Sequence, residues 1–235
     1  MIKLSKSLFK KMNGAWDPSI LPLSHYYKFQ EDSALMSYDE IKGAVGLDKI
    51  DVLVQNKVKK HSPMLQLDFS SFIKGHAVDQ LVALISQYKV HGIYVDIGGE
   101  IRTIGHKGSK EPWGIGIQSP TQEGLAEVVM ANDIAIATSG NYLNYVIKKG
   151  GKIGHILDPR TLTPISHQLL SISVIAPTCV IADALATGLF VMGMVESDQW
   201  LKKHSEFPAL MIFKDGDLIK SKYMNGFRHY IKEIN

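Results

Sequence analysis

Apolar and polar residues along this chain change period sharply at one place. Leu65 and Leu67 alternate with Gln66 and Asp68, a two-residue period that predicts the end of a strand. From Ala77 onward Val78, Leu81, Val82 and Ile85 recur at three- and four-residue steps, which predicts an amphipathic helix. Ser70 and Ser71 form a polar corner between the two, and the corner carries Asp68, Lys74 and Gly75. The unpaired N–H groups of a helix start, with a lysine beside them, suit a phosphate. They suit an ordinary turn with a solvated lysine equally well.

The same two periods mark out the other elements. Leu4, Leu8 and Met12 predict a short helix over 1–12, ended by Asn13-Gly14. Residues 15–23 read as a proline-punctuated loop around Trp16, and 25–37 as irregular. Ser37, with Glu40 three residues on, predicts a capped helix start. Residues 49–54 and 57–61 read as short strands. A hairpin is expected over 93–97 and 100–104 around Gly98-Gly99. Strands follow at 113–118, 125–130 and 134–137, then a second hairpin at 142–147 and 152–157. Ser171 to Ala176 predicts a buried strand, and Thr178 the cap of a helix reaching about Met192. Residues 196–204 predict a helix facing solvent, and 209–213 with 217–222 a closing hairpin. No repeat, linker or regular β-α-β alternation is visible. The expected fold class is α+β: a single mixed-sheet domain over residues 1–235 with a few packed helices.

Composition narrows the function classes. The 235 residues can bury a large core. Hydrophobic residues at 45% and charged residues at 21% are ordinary for a soluble enzyme. The net charge is only +3 and the densest basic run, 57–60, is short, so no nucleic-acid stripe is expected. The single cysteine, Cys179, excludes an intrachain disulfide and reads as a small buried hydrophobe. Residues 1–11 hold four lysines but no apolar block of signal-peptide length, so the chain as given reads as cytoplasmic. The apolar run 169–195 contains Pro177 and Asp183, and reads as a buried strand and helix rather than a membrane span.

Asp183 is the sharpest chemical signal. Between Arg160 and Glu196 it is the only Asp, Glu, Lys or Arg, and it lies on a helix that is apolar nearly all round. A carboxylate buried there is costly unless paired or bound to a metal. Thr187 follows four residues later, on the same helical face. Oxygen ligands from Asp and Thr suit a hard cation, Mg²⁺ or Ca²⁺; a buried ion pair or a bond to backbone would satisfy the acid as well. The nine histidines show no HExxH spacing, and His155 alone is compatible with packing in a hairpin. Neither GxGxxG after a strand nor GxxxxGK[ST] is present.

Five segments in register resemble the ApbE-type flavin transferase family (FAD:protein FMN transferase). They are Asn13-Gly-Ala-Trp-Asp-Pro-Ser-Ile-Leu-Pro-Leu23, then Asp68-Phe-Ser-Ser-Phe-Ile-Lys-Gly-His-Ala-Val-Asp79, then Val95-Asp-Ile-Gly-Gly-Glu-Ile-Arg102. Ala137-Thr-Ser-Gly-Asn-Tyr142 leading to His155-Ile-Leu-Asp-Pro-Arg-Thr161 is the fourth, and Ala182-Asp-Ala-Leu-Ala-Thr187 the fifth.

The resemblance implies Mg²⁺-dependent cleavage of FAD, transfer of FMN to a Thr or Ser hydroxyl of a target protein, and release of AMP. It implies Asp183 and Thr187 as metal-binding side chains, with Ser71 and Ala186 contributing around the metal. Asp68 and Lys74 match FAD-contacting positions, and Gly14, Ala15 and Trp16 a flavin- or adenine-side contact. His155 matches a histidine that contacts FAD or helps the acceptor hydroxyl lose its proton, and His155 and Asp183 are the catalytic candidates. The partners implied are FAD and an acceptor flavoprotein such as a redox-complex subunit, with a homodimer left open. The chain starts well inside the family pattern, and Ser70-Ser71 and Leu162 replace its glycines. A missing export segment would make the location periplasmic or membrane-associated. FAD pyrophosphatase activity, giving FMN and AMP, and a flavin-binding protein without full catalysis are the alternatives.

Overall fold

A computed structural model describes residues 1–235 except 28–35, 109, 122, 141–144, 149–150, 155 and 233–235; at 56, 145–148 and 151–154 only the backbone is described. Its contacts divide it into two compact units, residues 1–69 with 143–166, and residues 70–142 with 167–235.

The first unit opens with helix α1 (Ile2–Lys11). Asn13 and Gly14 end it in the left-handed region, at φ 50° and 77°. The proline-punctuated stretch is more ordered than its composition suggests. Asp17 caps a 3-10 turn, Pro18–Ile20, which runs into α2 (Leu21–Tyr26). Prolines in the first turn of a helix cost nothing there, because those N–H groups have no helical partner. Helix α3 (Tyr38–Ala44) carries the capping box expected at Ser37 and Glu40. Strands β1 (Ile50–Val52) and β2 (Val58–Lys60) form an antiparallel pair. No strand forms at 65–68, although Leu65 is buried. That stretch forms no regular element, and Asp68 N–H donates to the Pro18 carbonyl instead of to a sheet.

The second unit begins with α4 (Ser70–Ile85). The helix therefore starts at the serines, not after Gly75, and Lys74 and Gly75 lie within it. Ser70 and Ser71 need no left-handed backbone, so the family's glycines are conformationally dispensable here. Hairpin β3 (Gly92–Ile97) and β4 (Glu100–Gly105) turns at Gly98-Gly99, both with positive φ, as a two-residue hairpin requires. Strands β5 (Trp113–Gln118) and β6 (Leu125–Ala131) form a separate hairpin, and β7 (Ala135–Gly140) follows.

The chain then returns to the first unit through the hairpin β8 (Tyr145–Lys148) and β9 (Gly151–Gly154), and the short pair β10 (Leu157–Asp158) and β11 (Thr163–Pro164). Leu162, where the resemblance expects glycine, adopts φ 59° and still buries its side chain. The second unit resumes with β12 (Leu169–Ala176), α5 (Cys179–Lys203), β13 (Ala209–Asp215) and β14 (Leu218–Met224).

Six of these strands form the central sheet, ordered β14-β13-β12-β7-β4-β3, and every pairing is antiparallel. Strand alternation sends Ile93, Val95 and Ala135 into a core with Val78, Val82 and Cys179 of the helices. Ile101, Ile136, Ile175, Leu210 and Ile212 enter a second core with Ile115, Ile117 and Val129 of the β5–β6 hairpin. Helix α5 is long and apolar enough by composition to cross a membrane, yet it is mostly buried inside this unit. It breaks at Gly193 (φ 69°, ψ −175°), conformational space open in practice to glycine alone. The break separates the buried helix from the solvent-facing one, near the boundary the periodicity implied.

Candidate active site on the second unit

Helices α4 and α5 touch so closely at one point that only glycine fits. A Cβ on Gly75 would lie 2.4 Å from the Cys179 carbonyl oxygen and 2.9 Å from the Asp183 Cβ. Gly75 is thus a packing glycine rather than a turn glycine. The same approach lets the Gly75 N–H donate to Asp183 Oδ2 at 3.0 Å.

Asp183 is 5% exposed. Burial pushes its pKa up to about 7, and the neighbouring Glu100 charge pushes in the same direction; the Gly75 hydrogen bond and Lys74 pull it back in part. Among the described residues no cationic side chain is within ion-pair distance of it. Lys74, one residue before Gly75 on α4, instead pairs with Glu100 Oε2 at 2.7 Å. Glu100 opens β4 and is 3% exposed, and its own pKa is raised by burial despite that pairing. Of the two buried acids, only Glu100 is paired with that ammonium.

A different acid locks the helices in place. Asp79 on α4 accepts from Cys179 N at 3.0 Å and Val180 N at 2.9 Å, and pairs with Arg102 of β4 at 2.5 Å. It caps α5 from outside. Thr178 occupies the N-cap position but makes no side-chain cap, and among the described residues its buried hydroxyl has no hydrogen-bond partner. The sequence pointed to Thr178 because a helix cap is normally local; here it comes from another helix.

The expected site residues fall as follows. Lys74 and Asp183 come together, with Ser71 one turn before Gly75 on α4 and Ala186 and Thr187 one turn beyond Asp183 on α5. Ala186 is buried and Thr187 half-buried. Asp68 belongs to the first unit, as do Gly14, Ala15 and Trp16. Ala15 and Trp16 are each 1% exposed, so their side chains are interior. Gly14 lines a cleft of about 250 Å³ with Lys10, Asn13, Asp17 and Arg160. Asp17 there accepts from Ser19 and Leu47, and Arg160 pairs with Asp158 at 2.9 Å. His155 lies outside the described residues.

Glu100 is not among the site residues the sequence suggests, although it belongs to the segment 95–102 that carries the family resemblance. The available signal was strand phase. Glu100, Arg102 and Ile104 alternate on β4, and Ile104 packs into the core beneath the helices.

A divalent cation fits this donor set. The fold leaves Asp183 with a charge it does not neutralise. Among the described residues no group of three or more His, Cys, Asp or Glu side chains stands ready as a complete cage. Mg²⁺ characteristically takes one or two carboxylates and fills its shell with water and substrate phosphate.

Comparison with known proteins bears on the same chain. The pattern of the ApbE family matches residues 1–211. FAD:protein FMN transferase of Escherichia coli (strain K12) is 32% identical over 242 residues, covering 98% of this chain and 69% of that protein. The namesake of Vibrio cholerae is 33% identical, covering 94% and 68%. Among solved structures, the apo form of flavinyl transferase ApbE from Pseudomonas stutzeri superposes with a TM-score of 0.85 at 26% identity, covering 97% of this chain and 73% of that one. Flavin Transferase ApbE from Vibrio cholerae gives 0.84 at 30%, covering 97% and 75%.

Proposed function

Because this chain belongs to the ApbE family, we propose that it transfers FMN from FAD to a hydroxyl of a protein acceptor and releases AMP. The observation that carries the reading is Asp183, a buried acid held by one backbone N–H with its pKa raised to about 7. An acid kept at that cost in a helix core points to a ligand that repays it.

In the reaction the acceptor oxygen attacks the FMN-side phosphorus. The bond from that phosphorus to the bridging oxygen breaks, and the bridging oxygen leaves on AMP. The acceptor's proton must pass to a base, the role the resemblance gives to His155. Phosphoryl transfer of this kind needs positioning and charge stabilisation more than covalent catalysis. Asp183 and Thr187, with backbone oxygens of Ser71 and Ala186, would hold Mg²⁺. When bound, such an ion would offset the negative charge of the phosphates. Lys74 adds a fixed cation from α4. The acceptor is a flavoprotein whose Thr or Ser becomes modified.

Incubation with FAD, Mg²⁺ and a candidate acceptor, followed by a denaturing gel, tests the proposal. A fluorescent acceptor band is expected, absent in Asp183→Ala and in EDTA. A band that persists in EDTA refutes the metal-dependent reading. Release of FMN and AMP without any acceptor would identify a pyrophosphatase instead.

A further inference from the structure

We propose that Glu100 is a positioning residue: it anchors the Lys74 ammonium beside Asp183, so that an incoming diphosphate meets a fixed charge rather than a mobile one. The proposal rests on the flavin-transfer reading above and assigns a role to a side chain which that reading leaves unused.

Three observations carry it. Glu100 is almost fully buried, and among the described residues the only cation paired with it is Lys74. A buried carboxylate with a single partner is a poor source of stability, since desolvation cancels most of the attraction. The 2.7 Å approach is an ion pair, and among the described residues Glu100 Oε2 has no other partner. Such an arrangement orients a side chain better than it stabilises a fold.

The second observation is the exposure of Lys74. Its side chain is 44% exposed, whereas Glu100 shows only 4%. A lysine left to itself carries rotamer entropy that a ligand would have to remove. Glu100 removes it beforehand.

The third is the bare turn above the pair. Gly98 and Gly99 carry no side chains and both have positive φ. A Cβ on Gly98 would stand only 3.8 Å from Lys74 Cδ and 4.0 Å from its Nζ, while one on Gly99 would meet nothing within 4 Å among the described residues. The ammonium thus has a buried acid on one side and an uncovered turn on the other, an open approach for an anion.

The test compares Glu100→Gln, Lys74→Met and the double variant in two assays. One is FMN transfer with kcat and KM for FAD resolved; the other is calorimetric binding of inorganic pyrophosphate. A fixed charge matters most where charge develops in the transition state, so the Glu100→Gln loss is expected mainly in kcat, roughly 10- to 100-fold. The double variant should be no worse than Lys74→Met alone, and Glu100→Asp should recover part of the loss. Pyrophosphate affinity should follow the same non-additive pattern. Losses that multiply in the double variant, or wild-type kinetics in Glu100→Gln, overturn the proposal. If transfer fails with every acceptor while the pyrophosphate pattern holds, the flavin reading falls and the positioning role stands.

Discussion

The contact between α4 and α5 contains two aspartates, and the fold treats them differently. Asp79 receives a guanidinium from Arg102 and two N–H groups from the start of α5. Asp183, one turn further along α5, receives among the described residues a single N–H, from Gly75, and stands near the buried Glu100. Both acids are largely out of water, but only Asp79 has been given enough partners to justify its charge. The difference separates an acid that builds the fold from one the fold pays to keep. It also explains why burial alone could not have told them apart.

Removing each acid should break the molecule in a different way. Asp183→Asn keeps the shape and can still accept from Gly75, yet FMN transfer should fall on the order of 10³-fold or more if it holds the cation. Its melting temperature should hold or rise, which a gel assay and a thermal melt check together. Asp79→Asn should do the reverse. It leaves Arg102 without its counter-charge and weakens the α5 cap, costing about 3 kcal/mol by denaturant titration. Any activity loss there should track unfolding.

Gly75→Ala probes the contact between the two acids. Its methyl has no room against the Cys179 carbonyl, so the helices must separate, at a cost of about 1–3 kcal/mol. Asp183 should then titrate closer to an ordinary carboxylate, which carboxyl NMR would show.

The pH dependence sharpens the comparison further. Asp183 has its pKa raised in the fold, so below about 4 it is protonated both folded and unfolded and contributes nothing. As pH rises toward 7 the unfolded chain gives up this proton while the fold retains it, and stability falls. Above 7 the loss is complete. In metal-free protein the fall should reach about 4 kcal/mol across the window, and it should vanish in Asp183→Asn. A slope unchanged in the variant would refute the assignment. The smallest effect is expected at Leu162→Gly. Relief of its left-handed backbone, worth about 1 kcal/mol, should offset part of the lost side-chain burial.

Much of this was visible in residue order. Residue periodicity located the strands of the central sheet, the Gly98-Gly99 turn and the end of the buried helix at about Met192, because those features depend on near neighbours. Asp183 stood out because a lone charge in an apolar helix is anomalous whatever surrounds it. Errors cluster where a distant element intervened. Residues 65–68 alternate like a strand but find no sheet partner. Gly75 looked like punctuation, whereas it is the point where two helices meet.

Local spacing therefore determined most of the elements, the α+β class and the buried acid, since helical and strand periods are written into adjacent side chains. Only the tertiary structure decided which groups meet that acid. Glu100 reaches Lys74, and Asp79 reaches the start of α5, across stretches of chain that no local period spans. Charge pairing depends on distance in space, and that distance is set when the helices pack on the sheet.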